Sequence, residues 1–124
     1  MRVGHDVFTV EFYETTSGEC PVKEFIQSQD VKMRAKIYRT LELLEESGNA
    51  LRMPYSEYLG DGIFQLRAQV GNNITRVLYF FVVDGKIIMT NGFIKKTKDT
   101  PPSEIELAKK YRADYLARKE DKSR

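Results

Sequence analysis

Apolar and polar residues alternate over residues 6–13, which predicts a half-buried strand near the start of the chain. After a polar loop, Pro21 suits the first turn of a short helix. A longer helix is predicted to begin after Asp30, a favourable N-cap, and to end at Gly48. Its apolar residues recur at spacings of four, four and three, which places them on one packing stripe: Met33, Ile37, Leu41 and Leu44.

Short apolar segments over residues 55–95 predict a β-meander. Three turn signals separate these segments: Gly60-Asp61-Gly62, Gly71-Asn72 and Asp84-Gly85. A C-terminal helix follows, with Thr100 or Ser103 as its cap and two prolines in its first turn. The charged residues 118–124 are expected to fray. The packing stripe of this helix is predicted to consist of Ile105, Ala108, Tyr111 and Tyr115.

This order of elements predicts an α+β fold: a small antiparallel β-sheet with two N-terminal helices packed on one face and a C-terminal helix. A chain of 124 residues, of which 41% are hydrophobic, suits one domain, which we place over residues 1–124.

Composition excludes several classes of chemistry. The only cysteine, Cys20, rules out an intrachain disulfide and a multi-cysteine metal site, and it suits a cytoplasmic protein. The only histidine, His5, is expected at the surface, and no acidic or histidine cluster has metal-ligand spacing, so neither a metal nor a cofactor is predicted. The chain contains no apolar run long enough for a membrane helix. Its first residues include Asp6 and Glu11 and soon become strand-like, so a signal peptide is not expected there.

The net charge of +2 indicates no polyanion by itself, so the placement of the charges matters. A two-residue turn at Gly71-Asn72 places Arg67 directly opposite Arg76, because side chains in a strand alternate between its faces. A two-residue turn at Asp84-Gly85 then places Phe93 opposite Arg76 as well. These residues are therefore expected on one face of the sheet.

Three more polar residues are predicted on that face. Lys95 lies two positions beyond Phe93, and a turn at Asp61-Gly62 would bring Tyr58 opposite Gln65. The other face of the meander is free of charge and forms the predicted core: Phe64, Leu66, Ala68, Val70, Val77, Tyr79, Phe81, Ile88 and Ile94. Met89 is predicted on the polar face, with Leu78, Phe80 and Val82.

Like charges that face each other destabilise a sheet by a few tenths of a kcal/mol or more. Arg67 and Arg76, with Lys95 nearby, therefore favour an anion, and guanidinium groups match phosphate oxygens two at a time. The alternative is that each cation pairs with a carboxylate from a loop or from the C-terminal tail. Lys96 and Lys98 add positive charge after the aromatic Phe93, which suits a surface that follows a nucleic-acid backbone or simply a solvated loop.

The chain resembles the RelE/ParE toxin superfamily, and in particular its HigB-like branch, which includes phage-derived relatives. The resemblance depends on the order and spacing of four segments: LGDGIFQLR at 59–67, TRVLY at 75–79, GFIKKT at 92–97 and TPPSEI at 100–105, followed by Ala108 and Tyr111. It covers nearly the whole chain from the first strand onward.

The resemblance implies a metal-independent endoribonuclease that cuts messenger RNA, usually on the translating ribosome, and so inhibits translation and growth. It also implies a cognate HigA-like antitoxin with a helix-turn-helix domain, which holds the toxin inactive in a complex such as a heterotetramer. The family's basic residues match Arg67 and Arg76 on the central strands and Lys95 and Lys96 after the last strand. Gln65 departs from the pattern, because many relatives have an acid or a lysine there.

The mechanism predicted from these matches is attack by an RNA 2′-hydroxyl on the adjacent phosphate. Arg67 and Arg76 would clamp the phosphate and Lys95 or Lys96 would assist proton transfer, with Tyr58 as an alternative acid. The residues predicted to contact RNA are Tyr58, Gln65, Phe93 and Lys98. Two alternatives stay open: a toxin of the same fold that poisons DNA gyrase by binding it, and an RNA-binding module without catalysis.

Overall fold

The computed structural model describes residues 7–122, so His5 and the last two residues of the predicted frayed tail lie outside the described residues. Five strands form one sheet: β1 (Thr9–Phe12), β2 (Ser56–Gly60), β3 (Ile63–Val70), β4 (Asn73–Val82) and β5 (Lys86–Ile94). Three α-helices accompany them: α1 (Pro21–Gln27), α2 (Val31–Ser47) and α3 (Pro102–Lys122). No helix within residues 7–122 is both long enough and apolar enough to span a bilayer.

The sheet has the order β1-β5-β4-β3-β2. Strands β2 to β5 form the predicted antiparallel meander, and β1 pairs in parallel with β5. Because β1 is an edge strand, the amide of Val10 needs an acceptor from outside the sheet, and the Glu45 carboxylate on α2 accepts its hydrogen bond at 2.8 Å. This bond ties the parallel edge of the sheet to the longest N-terminal helix.

The predicted start of α1 and both predicted ends of α2 are confirmed. Pro21 is the first residue of α1, a position at which the helix needs no hydrogen bond from the backbone N–H that proline lacks. The Asp30 carboxylate accepts a hydrogen bond from the Met33 amide at 2.8 Å and so caps α2. Gly48 ends this helix with a φ of 54°, a left-handed value that glycine adopts without a steric penalty.

Hydrophobic clusters cover both faces of the sheet. Helices α1 and α2 pack on the same face, where α1 contacts β5 and β1 while α2 contacts β3 and β1. Helix α3 packs on the opposite face through Ala108, with the rest of its predicted stripe, Ile105, Tyr111 and Tyr115, against the same cluster. The α+β class is confirmed, and the meander is a buried central layer between two helical layers.

The predicted register of β3 with β4 is confirmed, because Arg67 lies opposite Arg76. The turn between β4 and β5 differs from the prediction: Val82 pairs with Lys86, so the loop has three residues, 83–85. A bulge then leaves Thr90 as an extra residue in β5, and the two departures cancel. Phe93 therefore lies opposite Arg76 as predicted.

Between the loop and the bulge the departures do not cancel, and the predicted faces of two residues are reversed. Met89 belongs to the cluster beneath α1 and α2, whereas Ile88 belongs to the cluster beneath α3. Both prediction errors have one cause, since a shift of one residue exchanges the two faces of a strand.

Helix α3 continues to Lys122, so residues 118–122, predicted to fray, are helical. The Tyr13 ring stacks on Tyr111 with 4.6 Å between ring centroids, and its hydroxyl donates to Asp114 Oδ2 at 2.5 Å. Arg118 binds the same carboxylate oxygen at 2.7 Å and also donates to the carbonyl oxygen of Glu14. These contacts dock the C-terminal half of α3 against the segment that follows β1.

The Tyr13 contact predicts a pH dependence of stability. Burial, followed by the neighbouring Asp114 carboxylate, raises the pKa of Tyr13 to about 12 from its usual value of 10.0. Between these pH values the unfolded chain releases a proton that the folded protein keeps, so the free energy of unfolding falls as pH rises from 10 to about 12. We expect a shallower fall in Tyr13→Phe when urea unfolding is measured across this range.

The matched control is Tyr38→Phe, because Tyr38 is 48% exposed on α2. Its stability curve should follow that of the wild-type protein. Parallel curves for the wild-type protein and Tyr13→Phe would contradict the assignment of this linkage to Tyr13.

Candidate nucleic-acid interface

Arg67 and Arg76 lie side by side on the α3 side of the sheet, on β3 and β4. Arg76 is only 7% exposed, because the segment between β5 and α3 folds over its side chain. Its Nη1 donates to the Thr100 hydroxyl at 3.2 Å, and its Nη2 donates to the carbonyl oxygen of Lys98 at 3.5 Å. The Arg67 side chain is half-buried. One arginine is therefore fixed by the protein while the other stays partly open to solvent.

The arginine pair is not neutralised by direct contact. Across the described residues, no ion pair involves either guanidinium, and the buried Nε of Arg76 has no hydrogen-bond partner. Burial lowers the pKa of Arg76, Glu57 opposes this shift, and Arg67 adds to it. An arginine nevertheless stays protonated in proteins. Two facing guanidinium charges without an ion-pair partner among the described residues favour an anion beside them.

A chain of hydrogen bonds runs beside the two arginines. Gln65, which is 2% exposed, donates through Nε2 to Glu57 Oε1 at 2.7 Å. Its Oε1 accepts from the Thr100 hydroxyl at 2.5 Å, and that hydroxyl in turn accepts from Arg76. Thr100 was a predicted helix cap, but its hydroxyl links Gln65 to Arg76. Gln65 is therefore enclosed in the site as a connecting residue.

The predicted basic segment lies next to the arginine pair. The amide of Lys95 donates to the carbonyl oxygen of Ile74 at 2.9 Å, which extends the β4–β5 ladder past Ile94. Lys95 therefore lies on the same face of the sheet as Phe93. Lys96 and Lys98 are exposed in the loop that follows. The described residues form no ion pair with these three lysines. Phe93 is half-buried in the cluster beneath α3, so part of its ring is already packed.

The prediction that Tyr58 lies opposite Gln65 is wrong. A bulge between Tyr58 and Gly60 shifts the register by one residue, so Glu57 lies opposite Gln65 and Tyr58 lies opposite Phe64. The Tyr58 ring packs 4.8 Å from that of Phe64, on the opposite face from the arginines. The presence of two glycines in Gly60-Asp61-Gly62 could have indicated this bulge, because Gly60 and Gly62 both adopt positive φ.

Sequence reasoning therefore missed Glu57 and the linking role of Thr100. It placed six of the eight predicted residues around one end of the sheet, on the strands or in the adjoining loop: Arg67, Arg76, Gln65, Phe93, Lys95 and Lys96. Lys98 joins them through its carbonyl oxygen. Tyr58 does not. A cavity of about 1050 Å³ lies elsewhere, along β1 between α2 and α3, and none of these residues lines it.

The fold and this face define a small α+β domain with a positively charged surface suited to phosphate. Residues 24–113 match the family described as Phage derived protein Gp49-like (DUF891), and the chain belongs to this family. The family is RelE-like and toxin-like in general, so the resemblance is confirmed at that level. The matched region contains every predicted site residue. No curated protein matches the chain.

Phosphate binding at this face can be measured through stability. A ligand that binds only the folded state stabilises it by about 2.7 kcal/mol at a hundred times its Kd. We expect inorganic phosphate to raise the Tm of the wild-type protein, and Arg67→Ala to lose most of this effect because one half of the cation pair is gone.

Chloride at equal ionic strength controls for screening, and Arg39→Ala on α2 controls for the loss of one positive charge. An equal response to phosphate in the wild-type protein and in Arg67→Ala would show that the anion binds elsewhere.

Proposed function

We propose that this protein is the toxin of a type II toxin–antitoxin system and that it cleaves messenger RNA, as in the HigB-like branch. One observation carries the proposal: two facing arginines, Arg67 and Arg76, have no ion-pair partner within the described residues. Membership of a toxin-like family supports the toxin role. The basic loop beside the arginines supports RNA as the ligand.

In the proposed reaction the 2′-hydroxyl of one nucleotide attacks the phosphorus that joins it to the next. A base takes the 2′-hydroxyl proton as the P–O2′ bond forms. The P–O5′ bond breaks, and the products are a 2′,3′-cyclic phosphate and a 5′-hydroxyl. Arg67 binds a non-bridging oxygen, where negative charge develops in the transition state. Arg76, which the loop before α3 covers, completes the clamp through its positive charge. Lys95 or Lys96 gives a proton to the leaving 5′-oxygen. Arginines and lysines supply this charge, so the proposed reaction uses no metal.

Phe93 and Lys98 extend the proposed RNA contact to either side of the scissile phosphate. The exposed part of the Phe93 ring offers a stacking surface for one base. Lys98 offers a cation to a neighbouring phosphate. Gln65 contributes through its hydrogen bonds to Glu57 and Thr100, because its own side chain is buried.

The double variant Arg67→Ala/Arg76→Ala tests the cation clamp. Loss of one transition-state donor costs about 100–1,000-fold in rate, so cleavage should become undetectable in the double variant. The measurement is the mapping of transcript 5′ ends after induced expression, together with the growth rate. Thermal melting checks the fold, and Arg39→Ala serves as the matched control. Cleavage and growth arrest at wild-type levels in the double variant would refute the clamp.

Two other functions give different outcomes in the same experiments. A gyrase poison inhibits purified gyrase and leaves messenger RNA intact. An RNA-binding module without catalysis binds RNA with an affinity that falls as salt rises, and it neither cuts the strand nor arrests growth. The facing arginines favour cleavage over protein binding, because a protein-binding surface needs no phosphate clamp.

The proposed partners are the ribosome and a HigA-like helix-turn-helix antitoxin. We expect co-expression of a helix-turn-helix protein encoded beside this gene to restore growth and to co-purify with the toxin as a stable complex, including a heterotetramer. Restored growth without co-purification would indicate that the helix-turn-helix protein represses the toxin gene and does not bind the toxin. The same assay in a translation extract, with and without ribosomes, measures ribosome dependence.

A further inference from the structure

Glu57 is an acidic residue on the arginine face of the sheet, near the arginine pair. Its position opposite Gln65 places it on the same side as Arg67 and Arg76, and its side chain is exposed near the start of β2. Its charge raises the pKa of Arg76, so the two groups interact although no ion pair joins them. A carboxylate in this place is close to the proposed phosphate site and accessible to a ligand.

Two other acidic residues approach this face, and each is less suited to act on a ligand. Glu104, in the first turn of α3, accepts hydrogen bonds from the buried Asn91 amide through both Oε1 and its carbonyl oxygen, so it holds the helix to β5. Asp99 lies in the exposed loop, and its effect on Arg76 is weaker than that of Glu57. Glu57 is therefore the carboxylate best placed to react.

The hydrogen bonds of Glu57 leave one oxygen available. Its Oε1 accepts from Gln65 Nε2 at 2.7 Å, while the described residues contribute no hydrogen bond to its Oε2. Gln65 is itself fixed, because it is buried and bound to Thr100. The amide of Gln65 has no titratable proton near neutral pH, so it can orient a base but cannot be one. The arrangement thus fixes a carboxylate at a set position relative to Arg76.

We propose that Glu57 is the general base of the ribonuclease reaction and that Gln65 positions it, an inference that rests on the proposed function. Glu57 Oε2 takes the proton of the attacking 2′-hydroxyl as the P–O2′ bond forms. The P–O5′ bond breaks, and the leaving oxygen takes its proton from Lys95 or Lys96. The protein thereby gains one proton at Glu57 and loses one at a lysine, and exchange with solvent restores both groups.

The test compares Glu57→Gln with the wild-type protein on the transcript whose cleavage site the 5′-end mapping defines. General-base catalysis contributes about 100–10,000-fold, so Glu57→Gln should lose that factor in single-turnover rate. General-base catalysis makes the wild-type rate rise with pH, and the variant should lack this rise. Binding is measured on the same RNA with a 2′-O-methyl group at the cleavage site, which blocks attack. Glu57→Gln should bind it at least as tightly, because the variant removes a negative charge.

Glu46→Gln is the matched control, because Glu46 is an exposed carboxylate on α2. It should keep the wild-type rate and pH profile. Gln65→Leu should lower the rate yet keep the rise with pH, as expected of a positioning residue. Thermal melting verifies that each variant is folded.

The outcomes separate the two proposals. A wild-type protein that does not cleave RNA refutes the ribonuclease function and the role of Glu57 together. A wild-type protein that cleaves, with a Glu57→Gln variant that keeps the same rate and pH profile, refutes the base alone. A variant that loses affinity and rate in equal measure also refutes it, since the loss then comes from binding.

Discussion

The repulsion between Arg67 and Arg76 is the interaction around which this end of the sheet is built. Facing like charges cost a few tenths of a kcal/mol or more, and the burial of Arg76 adds to that cost. The strands tolerate it because their opposite face is packed under α2, and because two groups of the loop before α3 accept hydrogen bonds from Arg76. The packed core on the opposite face offsets this free-energy cost, and it also keeps the two arginines from moving apart.

A chain of hydrogen bonds beside this pair joins groups that come from distant parts of the protein chain. Thr100 approaches from the loop before α3, and Glu57 approaches from the edge strand β2. Gln65 lies between them and contacts both. A change at one of these positions therefore affects the others through partly buried hydrogen bonds. The proposed proton acceptor and the proposed phosphate clamp are two ends of one network.

Much of the fold and part of the site could be predicted from sequence, for identifiable reasons. The Gly71-Asn72 turn has two residues, as predicted, so the prediction that Arg67 faces Arg76 was correct. Phe93 was placed correctly only because the longer loop at 83–85 and the bulge at Thr90 offset each other. No second irregularity offset the bulge in β2, so Tyr58 lies on the face opposite to the predicted one. Bulges depend on how strands pack in three dimensions, and alternation along one strand does not encode them.

The links between elements were beyond sequence reasoning altogether. Thr100 has the features of a helix cap, and only the position of α3 brings its hydroxyl to Gln65. Glu57 was not among the predicted site residues, because its place opposite Gln65 depends on the β2–β3 register. The burial of Arg76 was not predicted either, because it depends on the path of the loop before α3. Side-chain contacts between segments far apart in sequence decide which of several charged residues are brought together.

The hydrogen bond from Val10 to Glu45 has a consequence for how these molecules behave at high concentration. An edge strand with open amides offers a template on which a neighbouring molecule can add a strand and begin to aggregate. Here the template is only four residues long, and a carboxylate from the same chain occupies the amide of Val10. A strand from another molecule would have to displace that negative group first, so the sheet discourages growth at its parallel border.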